Sequence, residues 1–244
     1  MNIVSLAPSN TEILYAIDAG NQVVATTSLC DYPAEAAEKP SIGGWTNPKI
    51  SRIHEFEPDL VIASDDLQDE AVNKIQEEGF PVLQVKPHSL EEVYDSIREI
   101  GEAVDRESEA EEVVDEMKQG FREIQLNGQP RIYCEEWMDP PMVSGNWIPD
   151  IIRRIGGRYF IHGGRSRKFP LENLVEFNPE YIIFNICGAG ENLQPKKIMD
   201  NRDEWQDLTA AEQGNVYKID DSLLNRPGPR LVEAAKEIKR IMEN

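Results

Sequence analysis

The chain has 244 residues, 40% hydrophobic and 29% charged, with 45 acidic against 25 basic side chains and a net charge of −20. That length can bury a real core, as one large domain or two small ones. A surface this acidic repels nucleic acid and anionic membranes, and no run of about 18 apolar residues is present to cross a bilayer.

The start, Met1-Asn2-Ile3-Val4-Ser5-Leu6, has no basic segment, no apolar run of secretory length and no small-residue cleavage site. As it stands the sequence predicts a cytoplasmic protein, or a periplasmic or membrane-anchored extracellular one if a leader has been removed. The three cysteines, Cys30, Cys134 and Cys187, are odd in number, far apart and without a CxxC. They argue against a disulfide framework or zinc ribbon and fit a reducing compartment.

Short apolar runs alternate with amphipathic stretches, the pattern of an α/β protein with parallel sheets. Strands are expected at 2–6, 23–26, 60–63 and 82–85. Ser9 with Glu12 reads as a capping box for the first helix, and Ser89 with Glu92 as another for a helix over 90–104. Asn47 before Pro48 reads as a cap for a further helix. Glu57-Pro58 and Asn178-Pro179 each precede a strand, where the residue before proline is pushed out of helical geometry.

Over 106–126, Ala110, Val113, Met117, Phe121 and Ile124 recur at spacings of three and four, which predicts one long helix. Asn127-Gly128-Gln129-Pro130 stops it. Strand–helix alternation resumes with strands at 131–134, 181–185 and 216–219. The reading is an N-terminal α/β lobe (1–104), a linking helix (105–127) and a C-terminal α/β lobe (128–244). A single doubly wound domain carrying a long surface helix is the alternative.

Enzymatic signals are thin. There is no GxGxxG after a strand, no GxxxxGK[ST] and no GxSxG, and no catalytic residue is assigned. His54, His88 and His162 form no short ligand pair, so no metal site or intrinsic cofactor is expected. Glu135 and Glu136, adjacent on a strand, point to opposite faces and cannot serve one substrate together.

The loops say more. In open α/β sheets ligands sit outside the carboxyl ends of the strands. Tyr32, Trp45, Trp147 and Phe169 are aromatics in such loops, suited to a large, partly apolar ring system, or else plugs beneath a loop. Arg226, flanked by Asn225 and Pro227, could donate hydrogen bonds to an amide or phosphate, or could form a surface ion pair. The Gly188-Ala189-Gly190 turn could take an anion.

The motifs Ala7-Pro8-Ser9-Asn10-Thr11-Glu12, Asp31-Tyr32-Pro33, Gly43-Gly44-Trp45-Thr46-Asn47-Pro48, Pro140-Pro141, Ser144-Gly145, Gly156-Gly157 and Arg226-Pro227-Gly228-Pro229-Arg230 occur in order along the whole chain. Together they resemble the cobalamin- and siderophore-binding proteins of the helical-backbone class. Cys30 ahead of Asp31-Tyr32-Pro33, with Glu136-Trp137-Met138-Asp139-Pro140-Pro141, resembles a branch of them without a signal peptide. The resemblance implies two Rossmann-like parallel-sheet lobes joined by a long helix, with a ligand held in the cleft between them. It implies a corrinoid of the vitamin B12 type as ligand. No cobalt ligand is evident in the sequence, so a monomer that holds the corrinoid by shape and hydrogen bonds, with its cobalt coordination intact, is expected. Pro8, Tyr32 and Trp45 would face it from the first lobe, and Phe169 and Arg226 from the second. Trp147 is added from its loop position.

Transporter-linked members dock on an ABC permease through an acidic residue on each lobe. Here the first such position is Ser51, with Glu55 one turn later, and Glu191 is the candidate on the second. A siderophore or haem binder on the same fold is the alternative, with Arg165, Arg167 and Lys168 available to an anionic chelate. An enzyme or interaction module derived from the fold is the third reading.

Overall fold

The computed structural model describes residues 1–243, apart from the side chain of Glu191. The chain divides into two compact units, one made of residues 1–87 and 91–116, the other of 88–90 and 117–244.

The first unit is built on β1 (Ile3–Ser5), β2 (Val23–Thr26), β3 (Leu60–Ser64) and β4 (Val82–Val85). They form one parallel sheet in the order β2-β1-β3-β4. Central strands of a parallel sheet are covered on both faces and so read as continuous apolar runs. All three residues of β1 are buried. The core joins Val4, Leu6, Ala25, Val61 and Ala63 from these strands and their ends to Ile42, Ile53, Val72 and Ile75.

The helices are α1 (Pro8–Ala16), α2 (Ala34–Ala37), α3 (Ile50–His54), α4 (Asp69–Glu77), α5 (Leu90–Ala103) and α6 (Glu107–Arg122). Two expected caps are not formed. Helix α1 begins at Pro8, one residue ahead of Ser9. Ala7 is its cap residue and makes no side-chain bond, and Ser9 and Glu12 are both buried. Proline fits the first turn because its missing N–H has no partner there in any case. Helix α3 begins at Ile50, with Lys49 as its cap. Asn47 lies instead in a turn closed by a Gly43–Pro48 bridge, and the Lys49 N–H is committed to Ile42 O at 2.7 Å.

Glu57 and Asn178, each before a proline, are left-handed, with φ of 42° and 46°. In α6, Ala110, Val113, Met117 and Phe121 are buried as their spacing predicts. The helix stops at Arg122, short of the expected 126. Leu126 N–H is drawn out of any helical bond by Ile155 O at 2.7 Å, while Ile124 stays buried beyond the helix end.

The second unit contains β5 (Arg131–Met138), β6 (Pro141–Val143), α7 (Ile148–Arg154), β7 (Arg158–Tyr159), β8 (Arg167–Lys168), α8 (Leu171–Phe177) and β9 (Tyr181–Phe184). It ends with α9 (Pro195–Met199), α10 (Thr209–Glu212), β10 (Val216–Lys218), α11 (Asp221–Leu224) and α12 (Leu231–Met242). The sheet runs β10-β9-β5-β6-β8, with β7 pairing β5 off that path. β5, β7, β9 and β10 are parallel, while the β5–β6 and β6–β8 pairs are antiparallel.

Candidate functional site

On the first unit, three expected residues gather at the carboxyl ends of β1 and β2. Pro8 follows β1 directly and is half-buried; Tyr32 lies in the loop after β2 and is 43% exposed. Trp45 is half-buried in the turn between Gly43 and Pro48. That turn is held to β2, since Ile42 N–H donates to Thr26 O at 2.8 Å and Ser28 N–H to Gly43 O at 2.8 Å. The Tyr32 loop is tied to α1 through Cys30. The Cys30 Sγ is buried within 3.2 Å of Thr11 Oγ1 and 3.3 Å of Thr27 Oγ1.

Sequence reasoning missed the residue that joins these loops. Gln68 closes a short 3-10 turn, Asp66–Gln68, and is fully buried. Its Nε2 donates to Leu6 O at 3.0 Å and to Trp45 O at 2.6 Å, and its Oε1 accepts from Ser64 N–H at 2.6 Å. One amide therefore fixes the ends of β1 and β3 and the Trp45 turn. A lone polar residue inside a polar turn gives no such signal in sequence.

On the second unit a chain of side-chain amides, buried at Asn185 and half-buried at Asn225, does the same work. Ser144 Oγ donates to Asn185 Oδ1 at 3.1 Å, and Asn185 Nδ2 donates to Asn225 Oδ1 at 2.6 Å. Asn225 Nδ2 returns to Asn185 O at 2.8 Å. Asn225 precedes Arg226, which is half-buried, so this chain sets where Arg226 starts. Trp147, read from sequence as a loop aromatic facing a ligand, is instead 7% exposed at the start of α7 and donates its Nε1–H to Leu224 O at 2.9 Å. It anchors the end of α11 from within the unit.

Phe169 is half-buried and edge-on to Tyr133 and Phe160, with ring centroids 5.5 and 5.1 Å apart. The Gly188 turn is less open to an anion than its glycines suggest, because Gly188 N–H already donates to Asp221 Oδ2 at 2.9 Å.

Beneath the aromatic cluster, β5 carries a buried ion pair. Glu135, fully buried, accepts from Arg202 Nη2 at 2.6 Å and Nη1 at 2.8 Å and from Tyr133 OH at 2.7 Å. Arg202 lies over the Trp205 ring at 4.3 Å. Burial pushes the Glu135 carboxyl above its ordinary range, and Arg202 and Tyr133 draw it back only in part. The Cys134 thiol beside it is pushed up to about 12 by burial and is inert as a nucleophile at neutral pH.

Next to this pair is a cavity of about 800 Å³ lined by Met138, Pro141, Leu193, Ile198, Arg202 and Trp205 among others. None of the expected contact residues lines it.

Among the described residues no group of three His, Cys, Asp or Glu could hold a metal, and no helix is long and apolar enough to cross a membrane. Ser51 and Glu55 are exposed on and just after α3, with Glu55 3.9 Å from Arg52. Glu191, the second docking candidate, lies outside the described side chains.

Gly145 joins the amide chain to the loop before β8. A Cβ there would stand 2.3 Å from Gly164 O and 2.4 Å from Ser166 N, both backbone atoms. Gly145→Ala is expected to cost roughly 1–3 kcal/mol, because the clash is with main chain that cannot rotate away. A thermal melt within 1 °C of the parent would contradict this close packing.

Two α/β units whose strand-end loops are stiffened by side-chain amides, with aromatic side chains on both and a guanidinium on the second, define a ligand-binding protein class. The chain belongs to the periplasmic binding protein family, whose model matches residues 3–223. Members of that family are solute-binding components of ABC importers. A Bacillus subtilis protein described as an uncharacterized ABC transporter substrate-binding lipoprotein is 29% identical over 97% of this chain and 78% of its own length. A vitamin B12-binding protein of Vibrio parahaemolyticus is 23% identical over 97% of this chain and 87% of its own.

Solved structures share the fold. A possible iron-binding, periplasmic solute-binding protein of Staphylococcus epidermidis superposes with a TM-score of 0.86 at 23% identity, covering 100% of this chain and 98% of that one. The periplasmic haem-binding protein of Vibrio cholerae superposes with a TM-score of 0.85 at 18% identity, covering 100% and 99%.

Proposed function

We propose that this protein binds a corrinoid of the vitamin B12 type, as the solute receptor of an ABC importer or as a soluble carrier. On the first unit the contacts are Pro8, Tyr32 and Trp45. On the second they are Phe169 and Arg226. One observation carries the reading: Tyr32 and Trp45 stand on two loops whose backbone is pinned at the strand ends, so the platform that carries the rings is preorganised. A rigid aromatic platform recovers the contact energy of a large flat ligand without an ordering cost. A relative described as vitamin B12-binding supports the same ligand class.

Calorimetric titration with cyanocobalamin, with a ferric siderophore and haemin as controls, tests the proposal. One-to-one binding of the corrinoid alone is the expected result. Trp45→Ala should weaken it by at least about tenfold, the usual effect of truncating a central aromatic anchor. Heat with haemin or the siderophore and none with cyanocobalamin would reject it.

The second reading, a haem or siderophore receptor, is favoured by the exposed Arg165, Arg167 and Lys168 and by the haem- and iron-binding structures of the same fold. In both readings an ABC permease is the proposed partner, with Glu55 and Glu191 as docking residues.

A further inference from the structure

The charge of this chain is unevenly placed. Residues 151–170 contain Arg153, Arg154, Arg158, Arg165, Arg167 and Lys168 and not one Asp or Glu, in a protein of net charge −20. All six cations are exposed, and one of them, Arg153, is paired with Asp150 just ahead of this stretch at 2.8 Å. A stretch of cations on so acidic a protein attracts an anionic solute locally against the repulsion of the net charge.

Part of the patch is built as a rigid loop. Arg167 Nη1 donates to Gly163 O at 2.9 Å and to Arg165 O at 3.1 Å, so one guanidinium is spent stapling the loop shut. Gly145 N–H donates to Ser166 Oγ at 2.8 Å, and Asn146 N–H to Gly164 O at 2.8 Å. Through the neighbouring Ser144 these bonds lead into the Asn185–Asn225 chain, which ends at Asn225, the residue before Arg226. Arg165 and Arg226 therefore stand on loops fixed to one buried scaffold, and Lys168 is the immediate neighbour of Phe169.

From this placement we propose that the second unit selects a ligand with anionic side groups, and that Arg165 is the residue that reads a carboxylate. The proposal rests on the corrinoid reading above and narrows it: the preferred corrinoid carries free carboxylate side chains in place of amides. Guanidinium suits this task, since its planar fork matches a carboxylate with two parallel hydrogen bonds, which a neutral amide side chain accepts less strongly.

The test is a paired titration of the whole chain with cobyrinic acid, whose side chains are carboxylates, and cyanocobalamin, whose side chains are amides. The acid is expected to bind about tenfold more tightly, as one charge-assisted bidentate contact allows. That ratio should fall with added salt. Arg165→Gln should bring the ratio close to one, while Arg154→Gln, an exposed cation outside the loop, should leave it. Circular dichroism checks that both variants are folded.

Binding of both corrinoids with no preference, or a preference that survives Arg165→Gln, overturns this inference and leaves the corrinoid reading standing. Folded protein that binds neither corrinoid rejects both.

Discussion

Replacing Arg202 by Met is expected to lower the unfolding free energy by about 3–5 kcal/mol at neutral pH, the usual result of stranding one charge of a buried pair. Glu135 has no route to water, being fully buried, and both its oxygens are held by Arg202. Met fills the space of the stem over Trp205 but supplies no donor.

The pH dependence separates this from simple loss of packing. Glu135 has a folded-state pKa raised above its ordinary 4.5 by burial. A raised carboxyl contributes stability in its protonated form, fully below the unfolded value, and loses it as pH rises through the folded value. Without Arg202 the downward pull on that pKa is gone, so the folded value rises further. The deficit should therefore be greatest at pH 7–8 and shrink as pH is lowered toward 4.5. Urea unfolding at several pH values measures it. A deficit of the same size at every pH would show that only packing had been lost. The double variant Glu135→Gln with Arg202→Met should recover part of the loss, because no charge remains to be stranded.

Strand positions were legible because buried parallel strands are written as apolar runs. All seven expected strands occur, with β2 and β4 ending where their runs end. The three strands not foreseen are β6, β7 and β8. Each has two or three residues, and β8 is Arg167–Lys168, whose pairing comes from its neighbour β6 and not from its own side chains. Helix starts were less legible. Ser9 and Glu12 satisfy the capping pattern, yet Pro8 sets the start one residue earlier, and Asn47 is claimed by a turn that depends on a bond to Ile42.

The site divides the same way. Loop aromatics could be found in sequence, but whether a loop aromatic points out or in depends on tertiary partners. Tyr32 and Trp147 look alike in sequence; one is exposed, and the other is bonded to Leu224. The residues that stiffen the loops, Gln68 and the Asn185–Asn225 pair, act on positions tens of residues away and carry no local pattern.

Gln68→Met should destabilise the first unit by roughly 2–4 kcal/mol, and its effect should reach the proposed ligand site as well. The variant keeps the volume and shape of the side chain, so little of the loss comes from a cavity. The cost comes from Ser64 N–H, which loses a 2.6 Å bond in a buried place, and from Leu6 O and Trp45 O, which lose their donors. The N–H dominates, because a buried donor has one hydrogen to place whereas a carbonyl retains a second lone pair.

Gln68→Glu discriminates these contributions. It keeps an acceptor for Ser64 N–H but replaces the two donors with a buried negative charge facing two carbonyls. It should therefore be worse than Gln68→Met at pH 8 and recover in acid, where a protonated carboxyl can donate once. In both variants the Trp45 turn loses the tie to the end of β1 that Gln68 supplies, so affinity for the proposed ligand should fall even where the unit stays folded. Stability by urea unfolding and affinity by calorimetry, measured on the same samples, decide the matter. If stability falls and affinity does not, Gln68 holds the fold but has no part in presenting Trp45.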